Sequence, residues 1–300
     1  MKITAKIIQS SFNYETGTTI RTYELEYPRY IHAEFMTHRQ FSRNSASSRA
    51  IPIAAMHQQI LAADVEFVNY GMNQQGMQSK QELDLIDKLA VRSLWFSARD
   101  YCLSMSEMMA SHKVHKQIAN RVTEPWMMMK VVMTTTEIAN WTWLRNHSDA
   151  QPEIQALAIV MDEAVSKDTP VDLHEGEWHV PYITRKFDDC TGQISYYVGT
   201  EEVSAEVAIK VSASCCAQVS YRKNDDSIDK ATAIYDRLIN SEPVHASPVE
   251  HQATPIVIDM FNKWNKTPGI THIDRDGVLY SGNFRNWIQY RQLIPNHTKY

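Results

Sequence analysis

Between residues 80 and 112 the chain carries one uninterrupted helical pattern, and no regular strand–helix alternation surrounds it. Leu83, Leu85, Ile86, Leu89, Val91, Leu94, Trp95, Ala98, Tyr101, Met105 and Met108 recur at helical spacing. Their methionines and aromatics are expected to pack in the core, where such side chains fill gaps, rather than to form a ligand box. Strand-like stretches at 3–9 and 18–26 precede a helix expected at 29–39, with Pro28 at its first turn. Helices follow at 53–63, from Thr135 or Thr136 to Leu144, from Pro152 to about Ser166, at 201–219 and at 227–240. Met127 to Met133 is β-rich, 167–200 is loop-rich around a turn at Trp178–Tyr182, and 241–255 is a loop. A strand–helix pair from Gly277 to Leu293 closes the chain. The mixture implies an α+β fold, a mixed or antiparallel sheet with packed helices, and not a doubly wound parallel sheet.

The 300 residues are read as one domain over 1–300, with 43% hydrophobic and 22% charged residues, enough to bury a sizeable core. A formal net charge of −5 supplies no global basic field, so no nucleic-acid polymer is expected as partner and an anion site would have to be local. The N-terminus is too short and polar for a signal peptide, and no run approaches a membrane span. Cys102, Cys190, Cys215 and Cys216 show no metal spacing and no Cys/His context for a nucleophile; a cytoplasmic protein without disulfides is the economical expectation. No Gly-x-Gly-x-x-Gly or Walker-type loop is present.

Three segments concentrate chemistry. Residues 37–49 hold His38, Arg39, Arg43, Asn44, Arg49 and four serines without a carboxylate. Planar guanidinium groups match phosphate oxygens, and hydroxyls and amides fill the remaining positions on a phosphate or heterocycle; a solvated surface loop is the plain alternative. In the second segment, Asn140 and Leu144 lie one helical turn apart and Arg145 ends the helix between Trp141 and Trp143. A cation there suits the helix dipole, and the indoles suit a planar ring. The third is His245-Ala-Ser-Pro-Val-Glu-His251. Its His-x5-His spacing does not put both imidazoles on one helical face, so no metal is expected there, nor at His32 and His38.

Together these segments resemble flavin-dependent thymidylate synthases. His38-Arg39-x-x-Ser42-x-Asn44-x-x-Ser47-x-Arg49 resembles the family's Arg-His-Arg-x-x-Ser-x-Asn-x-x-Ser-x-Arg loop. The stretch from Asn140 through Leu144-Arg145 to Ala150-Gln151-x-Glu153-Ile154 resembles its substrate-arginine helix and the start of the next one. His245-x-Ser247-Pro248-x-Glu250-His251 is similar to its His-x-Thr-Pro-Phe-Glu-His turn, and Ala217 to Tyr221 to its Ala-Arg-Val-Ser-Tyr element. The order looks circularly permuted, because in short members the last two elements come first; permutation is tolerated when termini lie close at a surface. Thr37 replaces the motif's first arginine, Ser45 stands where many members have Glu, and Asp149 where some have His.

The resemblance implies synthesis of dTMP from dUMP, with methylenetetrahydrofolate as carbon donor, FAD as hydride carrier and NADPH as reductant, and without a cysteine nucleophile. It implies that Ser47, Arg49, Arg145 and Arg121 bind dUMP, with Arg145 as the catalytic group stabilising charge on the uracil. His38, Arg39, Asn140, Leu144, Ser247 and Glu250 would contact FAD, and His245 would sit where folate and nicotinamide meet the flavin. A homotetramer with sites at subunit interfaces is implied as well. A pyrimidine nucleotide hydroxymethylase on the same scaffold and a non-catalytic nucleotide-binding protein are the alternatives.

Overall fold

The computed structural model describes residues 1–188, 192–220, 227–257 and 267–299. Strand β1 (Thr4–Asn13) turns at Gly17, whose φ of 68° is the left-handed region open to glycine, into β2 (Thr18–Pro28). A 3-10 turn at Arg29–Ile31 and a short α1 (His32–Phe35) lead to β3 (Ser42–Ser45), α2 (Ile53–Ala63) and the long α3 (Leu85–Ser111). After α4 (Lys116–Ala119) come β4 (Met128–Thr135), α5 (Ala139–Arg145) and α6 (Pro152–Ser166). The remainder is β5 (Val171–Leu173), β6 (Thr184–Asp188), β7 (Gln193–Val198), β8 (Glu201–Val203), α7 (Ala205–Ala217), α8 (Ile228–Ile239) and β9 (Ala253–Pro255). It ends in β10 (His272–Ile273), β11 (Leu279–Ser281), β12 (Phe284–Arg285) and β13 (Trp287–Gln289). The main sheet has the order β3-β4-β2-β1-β5, antiparallel except for the parallel β1–β5 pair. The fold is α+β.

Both faces of this sheet are buried, and they differ in chemistry. Register pairs Tyr23 with Met133, Leu25 with Val131 and Tyr27 with Met129. These six side chains form one face with Ile154, Leu157, Ala158 and Met161 of α6, closed by Ile31, Phe35, Phe41 and Trp141. On the other face register aligns Gln9 with Thr22, Thr22 with Thr134 and Thr134 with Ser42. All four are buried, as are Ser11, Asn13 and Asn44. Burial of so many polar groups requires partners. Gln9 donates to the Ile183 carbonyl, Asn13 to the Ile256 and Asn286 carbonyls, and Asn44 to the Cys216 carbonyl. The polar face is thus roofed by residues 178–185, the end of α7 and the C-terminal strands.

Several boundaries depart from the sequence reading. The helix expected over 29–39 stops at Phe35, because the Arg43 guanidinium donates to the Phe35, Met36 and His38 carbonyls and ties off the chain there. The loop-rich stretch 167–200 contains the β6–β7 hairpin, and the helix expected from 201 starts at Ala205 after β8, capped by Ser204. The loop expected over 241–255 holds a 3-10 turn and β9, and the closing segment has three short strands and a 3-10 turn at Tyr290–Leu293.

The largest correction concerns α3. Asp84 caps it by accepting from the Asp87 amide, and its 27 residues extend about 40 Å. Only Leu103 and Ser106 are buried. Trp95 and Cys102 touch a small cluster with Met56, Ile60, Leu103 and Trp126. Leu85, Ile86, Leu89, Leu94, Tyr101 and Met108 are each more than half exposed, although Tyr101 and Met108 are among the aromatics and methionines expected in the core. Periodicity identified the helix, but among the described residues nothing covers these side chains.

Candidate functional site

The 37–49 segment is only partly a loop. Its middle becomes β3, an edge strand, and this divides its functional groups between two ends of about 13 Å of extended backbone. At the first end His38 is buried, stacked on Phe41 and edge-on to Trp141 at 4.7 Å between ring centroids. Its Nε2 accepts from Arg145 Nε at 2.9 Å, which fixes the proton of the neutral ring on Nδ1. Burial, then the positive charges of Arg145 and Arg43, depress the His38 pKa to about 4. Arg145 also donates through Nη1 to Glu34. Segments more than a hundred residues apart thereby meet in one Glu34–Arg145–His38 unit.

Helix α5 turns Trp141 inward and keeps Asn140, Trp143 and Leu144 at the surface, with Trp143 74% exposed. Of the two indoles expected beside Arg145, Trp141 is therefore core, and only Trp143 can meet a ligand from solvent. Arg39 is exposed, and among the described residues neither it nor Asn140 has a side-chain hydrogen bond or ion pair.

The third segment joins this end through the C-terminal strands. Ser247 to Glu250 form a 3-10 turn. Gln289 Nε2 shares its two protons among the Glu250 carbonyl at 3.1 Å, Ser42 Oγ at 3.0 Å and Asn283 Oδ1 at 3.0 Å, while Asn283 Nδ2 donates to the Gln40 carbonyl. Arg291 pairs with the Glu250 carboxylate. Burial raises the Glu250 pKa, opposed by the Arg291 and Arg43 charges and by the Ser42 hydroxyl. Ser247 and His245 are exposed, the latter anchored by its amide to the Leu238 carbonyl.

At the other end of β3 the Ser47 amide donates to Ser220 Oγ at 2.9 Å, so the Val219–Ser220 element does reach the loop; Tyr221 lies outside the described residues. Arg49 is exposed. Beside them a cavity of about 630 Å³ is lined by Ala46, Ile51, Gln58, Gln59, Lys130 and Ser220 among others. Arg121 points to solvent and pairs with Glu124, which Arg29 also engages. Within one chain Arg145 is thus joined to His38 and Glu34, while Ser47 and Arg49 form a separate end.

The sequence reading missed Glu34, Gln289, Asn283 and Arg291. Glu34 was legible in principle, since a part-buried arginine favours an acceptor and Glu34 precedes the loop; the C-terminal three carry no local signal. Burial pushes the Cys216 thiol far up, and Cys215 beside it is also buried. Among the described residues no group of three or more His, Cys, Asp or Glu side chains could hold a metal ion, and no helix is long and apolar enough to cross a membrane.

No family model matches the sequence, and no curated protein matches it. Among solved structures, a UMP/dUMP methylase, PolB from Streptomyces cacaoi, bound with 5-Br dUMP, superposes with a TM-score of 0.45 at 16% identity, covering 55% of this chain and 90% of that one. The same enzyme bound with 5-Br UMP gives a TM-score of 0.45 and 16% identity over 55% of this chain and 89% of that one.

Proposed function

We propose that the chain is a flavin-dependent thymidylate synthase, making dTMP from dUMP with methylenetetrahydrofolate, FAD and NADPH. One observation carries this reading: three segments that resemble the family's motifs, far apart in sequence, converge on β3. Arg145 meets His38, and Gln289 ties Glu250 to Ser42. Surface segments of unrelated role would have no reason to meet.

The residues fit a flavin bound across an open surface. Arg39 and Asn140 offer unpaired polar ends, Trp143 and Leu144 offer apolar area, and Glu250 and Ser247 border the same end of β3. When bound, FAD would carry the hydride between NADPH and the one-carbon unit; the protein supplies stacking, orientation and charge. Neutral His38 holds the Arg145 guanidinium with Glu34, so that charge is preorganised rather than free to move. In this reading Arg145 stabilises the uracil as C5 gains electron density, Ser47 and Arg49 take the phosphate and ribose side, Arg121 adds charge, and His245 faces the flavin from the exposed turn. Burial pushes the Cys216 thiol far up and so disfavours a thiolate at that position.

A homotetramer is part of the proposal. The exposed apolar side of α3 is a long surface for which a second copy is the natural cover, and a second copy could bring Ser47 and Arg49 toward a neighbour's Arg145. The absorbance spectrum of purified protein, recorded before and after NADPH, tests the flavin: bands that bleach on reduction are expected, and protein that stays colourless after incubation with FAD sinks it. Mass spectrometry of the nucleotide product then separates a methylated from a hydroxymethylated base. Arg145→Ala should abolish turnover while leaving most flavin bound.

A further inference from the structure

Six side chains form a continuous hydrogen-bonded row across the polar face of the sheet. Arg185 Nη1 donates to Ser11 Oγ at 2.7 Å. Ser11 Oγ lies 2.7 Å from His179 Nδ1, and His179 Nε2 lies 2.8 Å from Thr22 Oγ1. Thr22 Oγ1 meets Thr134 Oγ1 at 2.7 Å, and Thr134 Oγ1 meets His251 Nδ1 at 2.8 Å. Apart from Arg185, which reaches in from β6, every member is fully buried.

We propose that Arg185 sets the direction of every proton in this row and thereby holds His251 as the Nε2–H tautomer, making Arg185 a positioning residue for the turn that carries Glu250. Donor and acceptor capacity alone set the direction. Arginine can only donate, so Ser11 Oγ accepts from it and keeps one proton to give. Among the described residues the one remaining partner of that hydroxyl is His179 Nδ1. If Ser11 donates there, His179 carries its proton on Nε2 and gives it to Thr22; Thr22 gives to Thr134, and Thr134 to His251 Nδ1. The His251 proton is then on Nε2, which has no protein partner. The reverse direction leaves that nitrogen unpaired too, and strands the Ser11 proton as well. The forward direction thus leaves one buried group unpaired and the reverse leaves two, each of them costly, so the forward direction wins.

Both imidazoles are neutral in this arrangement. Burial holds His251 at about 3 and His179 well below the ordinary value, while the half-buried Arg185, lowered to about 10, remains cationic at neutral pH. The row is independent of which ligand the candidate site takes. It gives a role to residues 178–185, which share no motif with the rest: they carry the two groups that orient His251 from the far edge of the sheet.

The test is ring-nitrogen NMR on full-length protein with ¹⁵N-labelled histidine, assigned by backbone-to-ring correlation. Wild type should show unprotonated Nδ1 and protonated Nε2 on both His179 and His251. Arg185→Lys, which keeps a cationic donor, should preserve that pattern. Arg185→Met should shift the His251 Nδ1 signal toward the protonated position as the two directions become comparable, and Thr134→Val should release His251 alone. A wild-type His251 protonated on Nδ1 overturns the proposal, even if a variant fails to fold. So does an Arg185→Met protein with both rings unchanged.

Discussion

Acidification should destabilise this protein well before its carboxylates titrate, because its buried histidines resist protonation. His179 and His251 are fully buried, and the desolvation cost of a charged imidazole keeps both neutral far below the ordinary value of about 6.5. In the unfolded chain both rings bind protons near 6.5. The unfolded state therefore holds more protons below that pH, and stability must fall as pH falls. The full contribution is present above about 6.5; for His251 it goes on being lost until about pH 3. At pH 5, about 1.5 pH units below the ordinary value, His251 has forfeited about 2 kcal/mol, and His179 acts in the same direction. That is an appreciable share of the 5–15 kcal/mol typical of a folded domain. His32 and His38, each held near 4, act in the same direction, while Glu250, whose raised pKa favours its protonated form in the native state, acts oppositely. Urea unfolding followed by tryptophan fluorescence at pH 7.5, 6.5, 5.5 and 5.0 measures the effect. An unfolding free energy that changes by less than about 1 kcal/mol across that range would refute the assignment of both rings as neutral and buried.

Four other perturbations separate the parts of the structure. Trp141→Ala, beneath His38, should cost about 3–5 kcal/mol, whereas Trp141→Phe should stay within about 1 kcal/mol because the indole N–H has no partner to lose; urea melts decide. Arg291→Met strands the Glu250 carboxylate and should cost on the order of 2–3 kcal/mol, with Glu250→Gln in the same chain restoring most of it. Leu89→Glu with Leu94→Glu should leave the far-UV spectrum intact and reduce the oligomer seen by light scattering to smaller species. Mixing inactive Arg145→Ala and Arg49→Ala chains, unfolded and refolded together, should return about a quarter of wild-type turnover if each site draws on two copies, and none if each chain is self-sufficient.

Where local rules govern, the sequence was readable. Pro152 starts α6 and Ser166 ends it, and α2 occupies 53–63, as propensity and spacing imply. The three motif segments were also legible, because their chemistry is concentrated in short runs. What could not be read depends on distant partners. Arg43 terminates the first helix by reaching back to its carbonyls, and Gln289 and Arg291 serve the site from a part of the chain with ordinary composition. Tyr101 and Met108 of α3 were expected in the core with the other aromatics and methionines there, because periodicity is silent about what covers a helix.

The two-faced sheet explains why the motifs can be so scattered and still converge. An apolar face tolerates sliding and repacking, whereas a row such as Ser42–Thr134–Thr22 must satisfy each polar atom in one register. Asn44, Gln9 and Asn13 each reach a carbonyl on a different covering segment, and His251 and His179 plug into the hydroxyls between them. Every element that roofs the sheet is therefore held by a hydrogen bond it cannot exchange for another. Chain order matters little to such an arrangement: an element arriving late, such as the 245–251 turn, docks where its partners are unsatisfied. The cost is acid sensitivity, because the imidazoles that fix the roof are the groups that low pH seeks to charge.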